Sequence, residues 1–134
     1  MNVVDSSVAI AAFASWHEAH AAASRVVSSG ARLPAHAAME TYSVLTRLPD
    51  PFRFTPDTAR ALVIENFNEP FLLLSDLGYR ALIEIAPTKG IMGGAIYDAV
   101  IAAVVNEAEG TLMTRDRRAI PVYDALDVAW EFVE

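Results

Sequence analysis

Between Gly93 and Asp116 a glycine pair, a helix-length apolar stretch, another glycine and a short apolar run follow one another, and this unit constrains the fold most. Ile96, Val100, Ala103 and Val104 recur at helical spacing with small alanines between them, which predicts a buried helix. Gly110 is the expected C-terminal stop. Thr111-Leu112-Met113-Thr114 is long enough for a strand covered on both faces. A helix feeding a parallel sheet packs antiparallel to the strand that follows, so the helix start and the strand end share one edge. Asp98, in the helix's first turn, and Asp116, just past the strand, are therefore expected as spatial neighbours. Open α/β sheets hold their sites at that edge.

The rest of the chain repeats the alternation. Asn2-Val3-Val4 predicts a first strand ending at Asp5, with Ser6-Ser7 offering helix-capping hydroxyls. Helical stretches are expected through Phe13 and again over 16–28, closed by Gly30. Residues 32–34 are a weak second strand, which Pro34 limits to a strand end or an edge. A helix over 36–48 places Glu40 on an otherwise mostly apolar stripe, and Pro49-Asp50-Pro51 ends it. Thr55-Pro56 opens the next helix, to about Phe67. Residues 71–74 read as a buried third strand, and Ser75-Asp76 caps a helix to about Ala86. After the central unit, residues 117–126 are a short helix or turn and 128–132 a last strand. Strands alternating with helices predict one α/β domain over 1–134, a parallel sheet covered on both faces.

With 54% hydrophobic residues the chain can bury a genuine core. No apolar run reaches the roughly 18–20 residues needed to span a bilayer, and no charged start precedes an apolar segment, so no membrane role or secretion signal is expected. Cysteine is absent, which excludes disulfides and thiolate metal sites and fits a cytoplasmic setting. A net charge of −7 argues against binding nucleic acid by electrostatics alone, so any such role needs bound cations and a local arginine cluster.

Four acids resist reading as solvated surface. Asp5 ends the first strand, Glu40 lies early in the helix after the second, Asp98 opens a helix and Asp116 follows the fourth strand. In a parallel sheet all four point to one rim, although each alone also reads as a helix cap. Two carboxylates about 4 Å apart repel by about 4 kcal/mol at an effective dielectric near 20, so protons or a cation must relieve them. Oxygen donors without histidine or cysteine suit Mg²⁺ or Mn²⁺, and such a site predicts phosphate-ester hydrolysis. Ser7 and Thr114 flank Asp5 and Asp116 as supporting hydroxyls or as structural caps. Arg115, Arg117 and Arg118 form the densest basic cluster, placed to hold a phosphate backbone or simply solvated. His17 and His20 read as a surface pair, and the aromatics as core or interface.

Asp5-Ser6-Ser7 after a short strand, Glu40 after Pro34, Tyr97-Asp98-Ala99 opening a helix and Thr114-Arg115-Asp116 closing a strand together resemble a PIN domain. The chain length and the segment Glu40-Thr41-Tyr42-Ser43-Val44-Leu45-Thr46-Arg47-Leu48-Pro49 resemble the VapC toxins of VapBC toxin–antitoxin pairs. The resemblance implies a three-layer α/β/α fold around a five-stranded parallel sheet. It implies Mg²⁺- or Mn²⁺-dependent endoribonuclease action on structured RNA of the tRNA or rRNA class. Asp5, Glu40, Asp98 and Asp116 would be the catalytic acids, Asp5, Asp98 and Asp116 the metal ligands, and Ser7 and Thr114 their helpers. It further implies a homodimer held inactive by a VapB-like antitoxin whose tail enters the acidic groove. Two other readings stay open: a phosphoacceptor receiver domain using Asp76, which lacks the lysine such a site needs after the last strand, and a non-catalytic domain binding a basic peptide in the acidic groove.

Overall fold

The computed structural model describes residues 1–134. Three regular strands, β1 (Asn2–Val4), β2 (Thr111–Thr114) and β3 (Trp130–Phe132), pair in parallel in that order. Val3 lies opposite Leu112, and Met113 opposite Glu131. Beyond β1 the sheet continues only through single bridges, Val3 to Arg32 and Pro34 to Leu72, both parallel. The expected five-stranded sheet is thus three strands and two extended segments. Pro34 has no N–H to give, so the ladder stops where it begins, and two bonds at each bridge remain: Arg32 N–H to Asn2 O (2.8 Å) with Val4 N–H to Arg32 O (2.9 Å), and Leu72 N–H to Leu33 O (3.0 Å) with Ala35 N–H to Leu72 O (2.9 Å). Residues 71–74 are not a buried strand: only Leu72 bridges, and Leu73 is 74% exposed.

Seven helices fill the connections: α1 (Ser6–Phe13), α2 (His20–Ser28), α3 (Ala35–Arg47), α4 (Pro56–Asn66), α5 (Asp76–Ile85), α6 (Ala95–Glu107) and α7 (Ile120–Ala125). Residues 16–19, expected as helix, form turns instead. The His17 ring accepts the Ala19 N–H at 3.0 Å, and that local bond competes with helical hydrogen bonding.

Leu112, Met113 and Thr114 are all buried. Because successive strand side chains alternate faces, β2 is covered on both. Helix α6 is the pivot of the packing. Its Ile101, Ala102 and Val105 join the main core with β1, β2 and α1 to α4, while Ala99, Val100 and Val104 form a smaller cluster with Leu82 of α5. The helix ends in a Schellman motif: Gly110 N–H donates to Val105 O at 3.0 Å and Glu109 N–H to Asn106 O at 3.1 Å. Glu109, at φ 54°, takes the left-handed position expected of Gly110. Gly110 is needed for a different reason: a Cβ there would sit 3.1 Å from the Met1 carbonyl oxygen, against the start of β1. This tight turn draws the end of α6 onto the sheet, and so sets where the start of α6 must lie.

Candidate active site

Asp5 leaves β1 in an extended conformation and caps α1, where its carboxylate accepts the Val8 N–H at 3.3 Å. It is 4% exposed and also accepts from the hydroxyls of Ser7, Thr114 (2.5 Å) and Tyr123 (2.9 Å). Burial pushes its carboxyl above the usual range, and the four donors pull back against that push. Two of those hydroxyls act twice. Ser7 Oγ accepts the Arg115 N–H at 2.8 Å, and Thr114 Oγ1 accepts the Asp116 N–H at 3.0 Å. The backbone just past β2 is therefore tied to the end of β1 through side chains.

Asp116 is held further by its own loop, its Oδ1 accepting the Arg118 N–H at 3.0 Å and its Oδ2 lying 3.1 Å from Arg118 Nη2. Asp98 enters from the first turn of α6 after Gly93, whose φ of +58° admits glycine readily. Burial raises the Asp98 carboxyl, with Asp116 and Asp5 adding to the rise and Arg118 opposing it. Glu40 comes from α3, and burial, then Asp98, Asp5 and Asp116, push its carboxyl up to about 6. Asp5 and Asp116 thus act electrostatically on both Glu40 and Asp98, and Asp98 acts on Glu40. Glu40 and Asp98 line an open pocket of about 430 Å³ with Tyr97 and Arg118, and Asp5 and Asp116 lie outside that lining. That volume falls within the roughly 300–1,000 Å³ of small-molecule sites, so the pocket admits more than an ion. No three His, Asp or Glu side chains of the chain stand at the spacing of a formed metal site.

The three arginines part company. Arg115 is 16% exposed in its side chain, donates to the Val133 carbonyl at 2.6 Å, reaches Glu18 at 3.3 Å and lies over the Phe132 ring. It fastens the C-terminal strand and has little left for a phosphate. Arg117 covers the same ring at 3.9 Å and is exposed to solvent. Arg118 alone faces the pocket, with a side chain 81% exposed.

Two site residues escaped the sequence reading. Tyr123 is 1% exposed and donates to Asp5, but a tyrosine 118 positions away carries no local signal of that bond. His36 stands one helical turn before Glu40, with Nε2 3.7 Å from Glu40 Oε1, and that spacing could have revealed it. Burial lowers the His36 pKa while Asp98 raises it in part, so at neutral pH this is a contact of a neutral imidazole rather than an ion pair. His17 and His20 are engaged locally, His20 Nδ1 lying 3.0 Å from the Ala11 carbonyl oxygen. Asp76 is exposed at the start of α5, 3.0 Å from Arg80, and is not among the charges acting on the site acids.

The PIN-domain family matches residues 3–125, and the chain belongs to that family. Within it the chain is of the VapC type. It is 43% identical over 129 residues to Ribonuclease VapC40 of Mycobacterium tuberculosis (strain ATCC 25618 / H37Rv), covering 96% of both chains. It is also 43% identical to Ribonuclease VapC27 of the same strain, covering 93% of this chain and 91% of that one. Among solved structures, FitAcB from Neisseria gonorrhoeae superposes with a TM-score of 0.71 at 18% identity, over 97% of this chain and 96% of that one. FitAB bound to an IR36 DNA fragment gives 0.72 at 20% identity, over 98% and 94%. These two share the fold. No helix is long and apolar enough to cross a membrane.

Proposed function

We propose that this chain is the toxin of a type II toxin–antitoxin pair: a divalent-metal-dependent endoribonuclease that acts in the cytoplasm on structured RNA of the tRNA or rRNA class. In this reading it works as a homodimer and is held inactive by a VapB-like antitoxin. The observation that carries the reading is the convergence of acids from separate elements: Asp5 and Asp116 both push up the carboxyls of Glu40 and Asp98, which line one pocket. The ribonuclease names of the VapC relatives support the substrate class.

The donor set fits a hard cation. It is all carboxylate oxygen, the chain has no thiol, and burial keeps the one nearby imidazole from competing as a charge. Asp5, Asp98 and Asp116 would hold Mg²⁺ or Mn²⁺. Such an ion supplies positive charge against the phosphate and makes water a stronger nucleophile. Glu40, with its carboxyl raised to about 6, is ionised near neutral pH yet basic enough to take a proton from attacking water. Arg118 is placed at the pocket to pair with a phosphate oxygen, and Thr114 and Ser7 keep the rim in register.

The test is cleavage of purified tRNA and rRNA by the purified protein with Mg²⁺ or Mn²⁺. Internal cuts that disappear in EDTA and in Asp98→Asn are the expected result. Cutting that survives both treatments would overturn the site and the metal together. Asp98 is the residue of choice, because Asp5 also caps a helix and its replacement would confound folding with chemistry.

A further inference from the structure

We propose that Tyr97, backed by His36, is a stacking platform for one unpaired base of the RNA beside the bond that is cut; this rests on the ribonuclease reading above. Tyr97 lines the same pocket as Glu40, Asp98 and Arg118 and is 55% exposed. One face of its ring is stacked on His36, with centroids 5.2 Å apart and planes within 6°. The histidine comes from α3 and the tyrosine from α6, so the ring is braced between two helices while much of it stays open to solvent. A tyrosine so exposed contributes little to the core, and its hydroxyl has no protein partner to explain it.

Charge makes such a platform necessary. The chain carries −7 overall, and the pocket sets Glu40 and Asp98 against the single guanidinium of Arg118, itself shared with Asp116, so electrostatics alone gives RNA little affinity here. Stacking on an aromatic ring is indifferent to that charge and available to any base. Arg118 is the phosphate contact of the same pocket, and Tyr97 the base contact. A base inside a duplex has both faces covered by its neighbours, whereas a loop or single strand offers one. The site is therefore built to select an unpaired nucleotide, in a loop or a single-stranded stretch, next to the scissile phosphate.

The probe is a short uridine-rich RNA with a single central 2-aminopurine, compared with the same strand in a duplex. It is read by fluorescence in the Asp98→Asn background with Mg²⁺ present, where no cleavage is expected. Binding should quench the single strand and not the duplex. Tyr97→Leu should lose the quenching and bind about tenfold more weakly, the scale of one stacking contact. Tyr97→Phe and Tyr97→Trp should restore both, and melting curves should show all variants folded. Equal affinity and equal quenching in Tyr97→Leu would overturn the proposal. So would a Tyr97→Leu variant that loses binding of a hexa-arginine peptide but keeps the RNA, which would assign the ring to a basic protein partner. Cleavage of tRNA or rRNA by the wild type decides the ribonuclease reading separately, because the fluorescence is read without turnover.

Discussion

The Thr114 hydroxyl donates to the Asp5 carboxylate at 2.5 Å and accepts the Asp116 N–H at 3.0 Å, so one buried oxygen joins two site acids from opposite ends of the chain. Ser7 repeats the device one residue over, donating to Asp5 and accepting from Arg115. The acid cluster is held by neutral hydroxyls that keep their hydrogen bonds whatever the charge on Asp5, because a hydroxyl both donates and accepts.

Thr114→Val keeps the shape and removes that oxygen. The buried Asp5 loses a donor and the Asp116 N–H loses its acceptor, so stability should fall by about 1–3 kcal/mol in urea unfolding at neutral pH. Tyr123→Phe removes a single hydroxyl from a residue that is 1% exposed, and should cost about 1.5–3 kcal/mol because its partner is a carboxylate. Both variants should also cut RNA more slowly. A Thr114→Val protein as stable and as active as the wild type would mean that the hydroxyl does not set the rim.

Protonation supplies a second test, in protein kept free of divalent ions by chelation. Glu40 has a folded pKa of about 6, raised from 4.5, so the native state holds a proton in this window that the unfolded chain has released. Its contribution is favourable below the unfolded value and is lost as pH rises through about 6. Glu40→Gln should therefore melt higher than the wild type above pH 6, with the difference closing toward pH 4.5. Asp98→Asn should show the same sign, since the Asp98 carboxyl is raised by burial, Asp116 and Asp5. Asp5→Asn is a poorer probe, because its carboxylate serves four donors that an amide satisfies less well. If Glu40→Gln melted lower than the wild type at pH 7.5, the acids would not be crowding one another.

What the sequence made legible was the part written in periodicity and chain punctuation. The α6–β2 unit, the first strand and the caps at Thr55 and Ser75 follow from local rules, and the acids at strand ends follow from the geometry of parallel sheets. What it hid depends on long-range placement. An apolar run such as residues 71–74 looks the same whether it enters a sheet or grazes an edge, and only Leu72 bridges. Gly110 suggests a left-handed cap, but the close approach to Met1 takes the glycine and leaves Glu109 to turn the chain. Tyr123 reads as a core aromatic and is one, with only its oxygen belonging to the site.

The three arginines make opposed expectations. Arg115 binds the Val133 carbonyl and Glu18 and lies over Phe132, so Arg115→Met should destabilise by about 1–3 kcal/mol, chiefly by leaving the buried Val133 carbonyl unmatched, since Glu18 is 84% exposed and stays hydrated. Arg118 is exposed, so Arg118→Met should leave urea unfolding nearly unchanged while weakening RNA binding. It should also flatten the plot of log affinity against log salt by about one, the signature of one lost phosphate contact. Filter binding across a salt series separates the two. An unchanged slope in Arg118→Met, or a lowered slope in Arg115→Met at unchanged stability, would reverse the assignment.

Gly78 lies inside α5, where alanine is ordinarily the better residue by about 1 kcal/mol. Here a Cβ would fall 2.2 Å from Glu107 Oε2 and 2.6 Å from Leu74 Cδ1. The Glu107 carboxylate is not free to swing aside, because it accepts from the Ser75 N–H at 3.2 Å and the Ser75 hydroxyl at 2.7 Å, the same serine that caps α5. Overpacking of this kind costs about 1–3 kcal/mol against a helical gain of about 1 kcal/mol, so Gly78→Ala should lower stability by up to about 2 kcal/mol. The glutamate's share can be isolated. Glu107→Ala alone removes the bonds to Ser75, but in that background Gly78→Ala meets only Leu74 and should cost less than in the wild type, so the double mutant should lose less stability than the two single losses summed. A Gly78→Ala protein that melts higher than the wild type would show that α5 and α6 do not approach as closely as this contact requires.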